Sequence, residues 1–246
     1  MNDEGIRLQK VLSQAGIASR RVAERMIYEG RVEVDGKIVT EQGKRIDPAV
    51  NVVHVDGVRV VMNSELVYLA LNKPLGMLST MSDDLGRPCI GKLIEDRVRH
   101  NQGVRNVGRL DAETVGLILL TNDGELTHRL MHPSYEVPKT YVATVSGTTP
   151  RSLGKQLRDG VTLDDGPAKV DDFKFVGTGD GKTMIELTLH EGRNRIVRRM
   201  LDAVGHPVVE LVRIKIGDVM LGNQRPGSLR ALGRDEIGSL HKAVGL

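Results

Sequence analysis

Apolar positions at the start of the chain recur at helical spacing. In Ile6–Gly16 they fall at Ile6, Val11, Leu12 and Ala15, which predicts a short helix ending at Gly16. Ser19 then stands where an N-cap would. Val22, Ala23, Met26 and Ile27 line one side of a second predicted helix that stops near Gly30. Arg31–Val34 alternates polar and apolar residues, as a half-buried strand does, and Asp35-Gly36 is a hairpin turn leading to Ile38–Val39. Val52–Val55, Asp56-Gly57 and Val58–Val61 repeat the pattern. Met62–Asn63–Ser64 reads as a linker, which divides the chain into residues 1–64 and 65–246.

Strand-like runs rich in Val, Ile, Leu and Thr follow at Leu66–Asn72, Leu117–Thr121, Thr140–Val145, Met184–Leu189 and Val208–Ile216. Lys73-Pro74-Leu75-Gly76 is a turn, and helices are predicted at Glu125–Met131, Arg151–Leu157 and Asn194–Ala203. Gly177-Thr178-Gly179-Asp180-Gly181 reads as a loop, since it lacks the Lys-Ser/Thr of a phosphate-binding loop. Strands and helices alternate irregularly, without uniform βαβ units, so the predicted class is α+β.

Composition narrows the function classes. The 246 residues carry 35 Lys+Arg against 32 Asp+Glu, with 39% hydrophobic and 27% charged residues, an ordinary globular balance. Apolar runs such as Leu117–Leu120 are too short to span a bilayer, and no apolar stretch precedes a small-residue cleavage site near the start. The single cysteine, Cys89, excludes an intramolecular disulfide framework and a zinc ribbon, and reads as a small buried residue. The expected compartment is the cytoplasm. With no Trp, two Phe and four Tyr, the chain lacks the rings of a base-stacking platform for single strands.

Arg7, Lys10, Arg20, Arg21, Arg25 and Arg31 stand close together against only Glu24 and Glu29. Such a cluster neutralises phosphates or forms a solvated helix face. The strings Leu8–Gly16, Ser19-Arg20-Arg21 and Gly30-Arg31-Val32-Glu33-Val34-Asp35-Gly36 resemble the S4 RNA-binding domain, a small helix–turn–helix-like module. That resemblance covers about the first 60 residues and implies that those six cations bind RNA.

Asp111 lies in a polar loop ahead of an apolar strand, where Asp commonly forms a turn or cap, and Asp123 has the place of an N-cap. However, Gly108-Arg109-Leu110-Asp111, Gly116–Leu120 and Thr121-Asn122-Asp123-Gly124-Glu125-Leu126 resemble the catalytic signature of pseudouridine synthases of the RsuA/RluB type. The resemblance assigns the essential carboxylate to Asp111. Pro138-Lys139-Thr140-Tyr141-Val142-Ala143 resembles the strand bearing that family's active-site tyrosine, which implies Tyr141. Glu191–Met200 resembles its basic motif, whose arginine pairs with the catalytic carboxylate; by position that arginine is Arg198. Leu69–Gly76 resembles the strand and turn that open the catalytic domain, and the match spans most of Leu66–Arg234. Two departures, Ile196 in place of Gln and no aromatic in Gly103–Asn106, bear on substrate details and not on the reaction class.

The resemblance implies an S4-like domain followed by a mixed, largely antiparallel-sheet catalytic domain with flanking helices. It further implies a monomer acting on ribosomal RNA or an assembly intermediate, without metal, cofactor or membrane. Lys73, Arg109, Arg193, Arg195 and Arg199 join the expected RNA contacts. Isomerising uridine breaks C1′–N1 and joins C5 to C1′, atoms that are reached only after the nucleotide leaves the stack. Asp111 either attacks C1′ or removes the 2′ proton, Arg198 would keep it ionised, and Tyr141 packs on the base near C5. Large-subunit RNA is the expected substrate, with small-subunit RNA as the alternative. A non-catalytic S4-type binding or assembly protein has no need of Asp111, Tyr141 and Arg198 together. A metal-dependent nuclease lacks its carboxylate cluster, and His128 and His132, spaced as a helical metal pair, have no third ligand nearby.

Overall fold

The computed structural model describes residues 5–61, 65–98 and 103–246, so the linker expected at Met62–Asn63–Ser64 lies outside the described residues. The chain folds as two units, one of Met1–Val67, Glu95–Arg105 and Thr121–Gly124, the other of Tyr68–Ile94, Asn106–Leu120 and Glu125–Leu246.

The first unit contains β1 (Ile6–Arg7), α1 (Leu8–Gln14), α2 (Arg20–Tyr28), β2 (Val32–Val34), β3 (Lys37–Ile38), β4 (Arg45–Ile46), β5 (Val53–Val55) and β6 (Val58–Arg59). The first helix starts at Leu8 and not at Ile6, because Ile6 and Arg7 are extended and pair antiparallel with Ile46 and Arg45. Ser19 Oγ accepts the Val22 N–H at 3.3 Å, the cap expected for α2. Both Asp-Gly turns have φ near +50° at Asp and near +77° at Gly, the left-handed pair that a tight two-residue hairpin demands. Leu8, Val11, Leu12, Ala23, Met26 and Ile27 of the two helices pack with Val32 and Val53 of the small β3-β2-β5-β6 sheet.

The rest of the chain supplies β7 (Tyr68–Lys73), α3 (Ile90–Ile94), β8 (Arg105–Val107), β9 (Val115–Thr121), α4 (Gly124–Met131), β10 (Lys139–Ser146) and α5 (Leu153–Asp159). The hairpins β11 (Val161–Leu163)–β12 (Gly166–Ala168) and β13 (Asp172–Gly179)–β14 (Lys182–Leu189) follow. Last come α6 (Ile196–Ala203), β15 (Val208–Ile216), β16 (Val219–Met220), β17 (Leu229–Ala231) and α7 (Arg234–Ala243). Among the described residues nine strands form one sheet in the order β13-β14-β10-β15-β9-β7-β17, with β16 beside β15 and β8 beside β9. Its pairings from β13 to β15 are antiparallel, whereas β15 and β9 run parallel. The α+β class is therefore as expected. The Gly-rich stretch at Gly177–Gly181 is not a loop: Gly177–Gly179 belong to β13, and only Asp180-Gly181 turns, with φ of 51° and 69°.

Gly116 makes the parallel contact possible. It pairs with Arg213, has φ +108°, and a Cβ there would sit 2.3 Å from the Arg213 carbonyl oxygen. One apolar cluster gathers Leu110, Tyr141, Ala143, Ile196, Val197 and Leu211, which draws the loop before β9, strand β10 and helix α6 together. Among the described residues no helix is long and apolar enough to cross a membrane.

Candidate active site

Asp111 opens a turn in which its carbonyl accepts the Thr114 N–H at 3.0 Å. The segment after β7 grips this turn on both sides of the carboxylate. Ser79 Oγ donates to the Leu110 carbonyl at 2.6 Å and accepts the Leu110 N–H at 3.0 Å. Gly76 N–H donates to the Ala112 carbonyl at 2.8 Å. Asn106 Nδ2 donates to the Gly108 carbonyl at 2.7 Å, and Gly108 N–H reaches Met131 Sδ at 3.0 Å. Asp111 itself is half-buried and Arg109 is exposed beside it.

Tyr141 lies on β10 with its ring almost wholly covered, packed in the cluster that contains Leu110. Arg198 on α6 donates from Nη2 to the Glu113 carbonyl at 2.9 Å and from Nη1 to the Val208 carbonyl at 3.2 Å. The expected Asp111–Arg198 ion pair is absent: among the described residues no salt bridge involves Asp111. Arg198 instead braces the main chain of the Asp111–Thr114 turn. Arg195, held with a left-handed backbone at the start of α6, binds the Glu113 carboxylate at 2.8 Å, so two arginines of α6 hold one residue of the turn.

Two lysines of the second unit have amines of lowered pKa. Lys73 is fully buried, and its Nζ donates to the carbonyls of Pro74 at 3.0 Å and Met77 at 2.8 Å. Burial pushes its amine down to about 8; Asp111 acts in the opposite sense, and Arg213 repels it further. Burial, then Arg213, likewise lowers Lys139 to about 8.

A protein-family model described as RNA pseudouridylate synthase matches residues 67–203, a span that takes in Asp111, Tyr141 and Arg198. The chain belongs to the RNA pseudouridine synthase family. An S4 domain model matches residues 6–52 of the first unit. An uncharacterized RNA pseudouridine synthase of Mycobacterium tuberculosis is 69% identical over 98% of this chain and 95% of its own length. The ribosomal large subunit pseudouridine synthase B of Bacillus subtilis is 43% identical over 94% of this chain and 93% of its own. A crystal structure described as a pseudouridylate synthase superposes with a TM-score of 0.66 at 29% identity, covering 96% of this chain and all of that one. The protein is accordingly an isomerase that acts on RNA.

Within this synthase the expected RNA contacts divide. Arg7, Lys10 and Arg20 line one groove of the first unit together with Arg45, a cation outside the expected set. Arg21 and Arg25 are exposed outside it, and Arg31 is spent on Asp56 in a two-pronged pair at 2.9 and 2.6 Å that ties β2 to the β5–β6 turn. Lys73 is a correction: an amine with no exposed surface and two carbonyl partners cannot reach a phosphate. Arg193 and Arg199 share Asp165 and pin α6 to the β11–β12 hairpin, so the basic motif is largely internal bracing. Nothing in the sequence marked Ser79, nor did it single out Arg213, which shares the span Val208–Ile216 with Glu210 and Lys215. His128 and His132 stand with ring centroids 5.6 Å apart. Among the described residues no His, Cys, Asp or Glu group is arranged to hold a metal.

Proposed function

We propose that the enzyme converts a uridine of large-subunit ribosomal RNA to pseudouridine in the cytoplasm, with Asp111 as the essential carboxylate, Tyr141 packing on the base and Arg198 bracing the Asp111 turn. In this reading residues 1–64 supply RNA affinity and residues 65–246 the chemistry. The observation that carries the site is the grip on the Asp111 turn: Ser79 and Gly76 on one side and Arg198 on the other fix a carboxylate that has no ion-pair partner among the described residues. A carboxylate so held acts on a nucleotide extruded from its stack, either at C1′ or on the 2′ hydrogen. Support for the large subunit comes from the Bacillus subtilis relative, whose likeness runs through both the S4 and the synthase parts.

Two measurements test this. Asp111→Asn preserves shape and removes charge, so it should bind RNA normally and form no detectable pseudouridine; substantial turnover by the folded variant refutes the assignment. Mapping pseudouridine in ribosomal RNA from cells lacking the protein should show a site lost from the large subunit. A loss confined to the small subunit overturns the substrate assignment alone.

A further inference from the structure

Arg213 lies at the centre of the large sheet and is only 3% exposed. It sits on β15 opposite Tyr141 of β10, with its guanidinium carbon 6.0 Å from the Tyr141 ring centroid. Nε donates to the Leu117 carbonyl of β9 at 2.8 Å, while buried Nη2 has no partner. Among the described residues no carboxylate is in ion-pair range of this guanidinium. A buried, uncompensated cation is costly, and an apolar side chain would fill the strand position without that cost. The charge therefore has a use beyond packing, and its neighbours indicate which.

We propose that Arg213 is a positioning residue for the isomerisation: its guanidinium holds the Tyr141 ring across the strand pair and places a fixed positive charge near Lys73. The proposal rests on the roles given to Asp111 and Tyr141 above. An arginine suits the task because its planar group rests on an aromatic face and keeps its charge at any pH the enzyme meets. The groups facing Lys73 are Asp111, which favours its charge, and Arg213, which opposes it; Lys139 also faces Arg213. Removing Arg213's charge therefore lets Lys73 hold its proton to higher pH, and the alkaline limb of the rate profile, which in this proposal reports loss of that proton, moves with it.

Full-length Arg213→Gln and Arg213→Lys are compared with the wild type in steady-state assays from about pH 6 to 10. In Arg213→Gln, KM for RNA should stay within about twofold, because the residue reaches no RNA, while kcat falls about tenfold or more. The alkaline limb should move to higher pH, and Arg213→Lys should restore its position. A folded Gln variant with unchanged kcat overturns the proposal. So does one whose kcat falls while the limb stays put, since lost packing alone would do that. If the Gln variant does not fold, fluorotyrosine NMR of Arg213→Lys decides: the chain has four tyrosines, and only the Tyr141 resonance, identified by Tyr141→Phe, should move. An unmoved Tyr141 signal overturns the proposal. Turnover by Asp111→Asn would instead refute the underlying catalytic assignment, whatever Arg213 does.

Discussion

Replacing Ser79 by Ala removes one oxygen, yet it frees both backbone groups of the residue before Asp111, the carboxylate proposed above as essential. Leu110 is 6% exposed, and its carbonyl and N–H meet Ser79 Oγ at 2.6 and 3.0 Å. A buried backbone group left without a partner costs about 1–3 kcal/mol. Ser79 is half-buried, so water relieves part of this, and the two groups together amount to roughly 2–4 kcal/mol. The loop escapes that cost by swinging outward to be hydrated, which carries Asp111 away from its held position. At 1.4 kcal/mol per factor of ten, kcat of Ser79→Ala should fall at least about tenfold, with RNA affinity unchanged because the groove residues are untouched. Ser79→Thr, which keeps the hydroxyl, should recover most of the loss. The assay is single-turnover release of tritium from C5 of labelled uridine, run beside a binding titration. A folded Ser79→Ala enzyme with the wild-type single-turnover rate, or one that loses affinity instead of rate, refutes the reasoning.

Gly116→Ala puts a Cβ 2.3 Å from the Arg213 carbonyl oxygen at a φ of +108° and should destabilise the enzyme by about 3 kcal/mol or more; a urea midpoint implying under about 1 kcal/mol would show that β9 and β15 can part. Neutralising Arg7, Lys10, Arg20 and Arg45 together should flatten the log–log salt dependence of RNA binding by roughly 0.7 for each phosphate that is no longer neutralised; an unaltered slope places the RNA elsewhere. Lys73 and Lys139 titrate near 8 in the folded protein against an ordinary 10.5. Between those values the unfolded chain holds protons that the folded chain has released, so the contribution of these lysines to stability rises with pH across that window, and their cost is fully present below it. Lys73→Met should shrink the rise measured by urea denaturation at several pH values, and an identical rise would contradict the burial of its amine.

What the sequence disclosed depended on how local each feature is. The Ser19 cap and the Asp-Gly hairpins are settled by side chains within a few residues, and they were legible. The span Val208–Ile216 could be read as a strand because β-branched and other apolar residues recur along it and alternate with Arg213 and Lys215 towards its end. Ile6 and Arg7 could not be read as a strand, because what extends them is Arg45–Ile46, far along the chain. Helix α7 was overlooked: its start is Gly233, a residue without a capping side chain, and the first-turn signal is Glu236, whose carboxylate accepts the Gly233 N–H at 2.9 Å. Asp111, Tyr141 and Arg198 emerged from family resemblance and not from periodicity. The partners of Arg198 did not follow from it, since the reach of its guanidinium to Glu113 and Val208 depends on how α6 packs. Ser79 was hidden for the same reason: a lone serine becomes a clamp only when the chain returns to it at Leu110.

The order of strands has a consequence for how the enzyme comes into being. The core of the first unit, Leu8 to Val60, is local in the chain. The middle of the large sheet joins distant segments instead: Gly116 to Arg213, and Leu71 to Leu229. Such long-range pairings close slowly and late. On the ribosome, where chains emerge N-terminal part first at about 5–20 residues per second, the segment bearing Asp111 therefore waits for α6, β15 and β17. A product truncated before α6 carries Asp111 without the Arg198 that braces its turn, so in the proposed mechanism the power to isomerise waits on residues made well after the carboxylate itself.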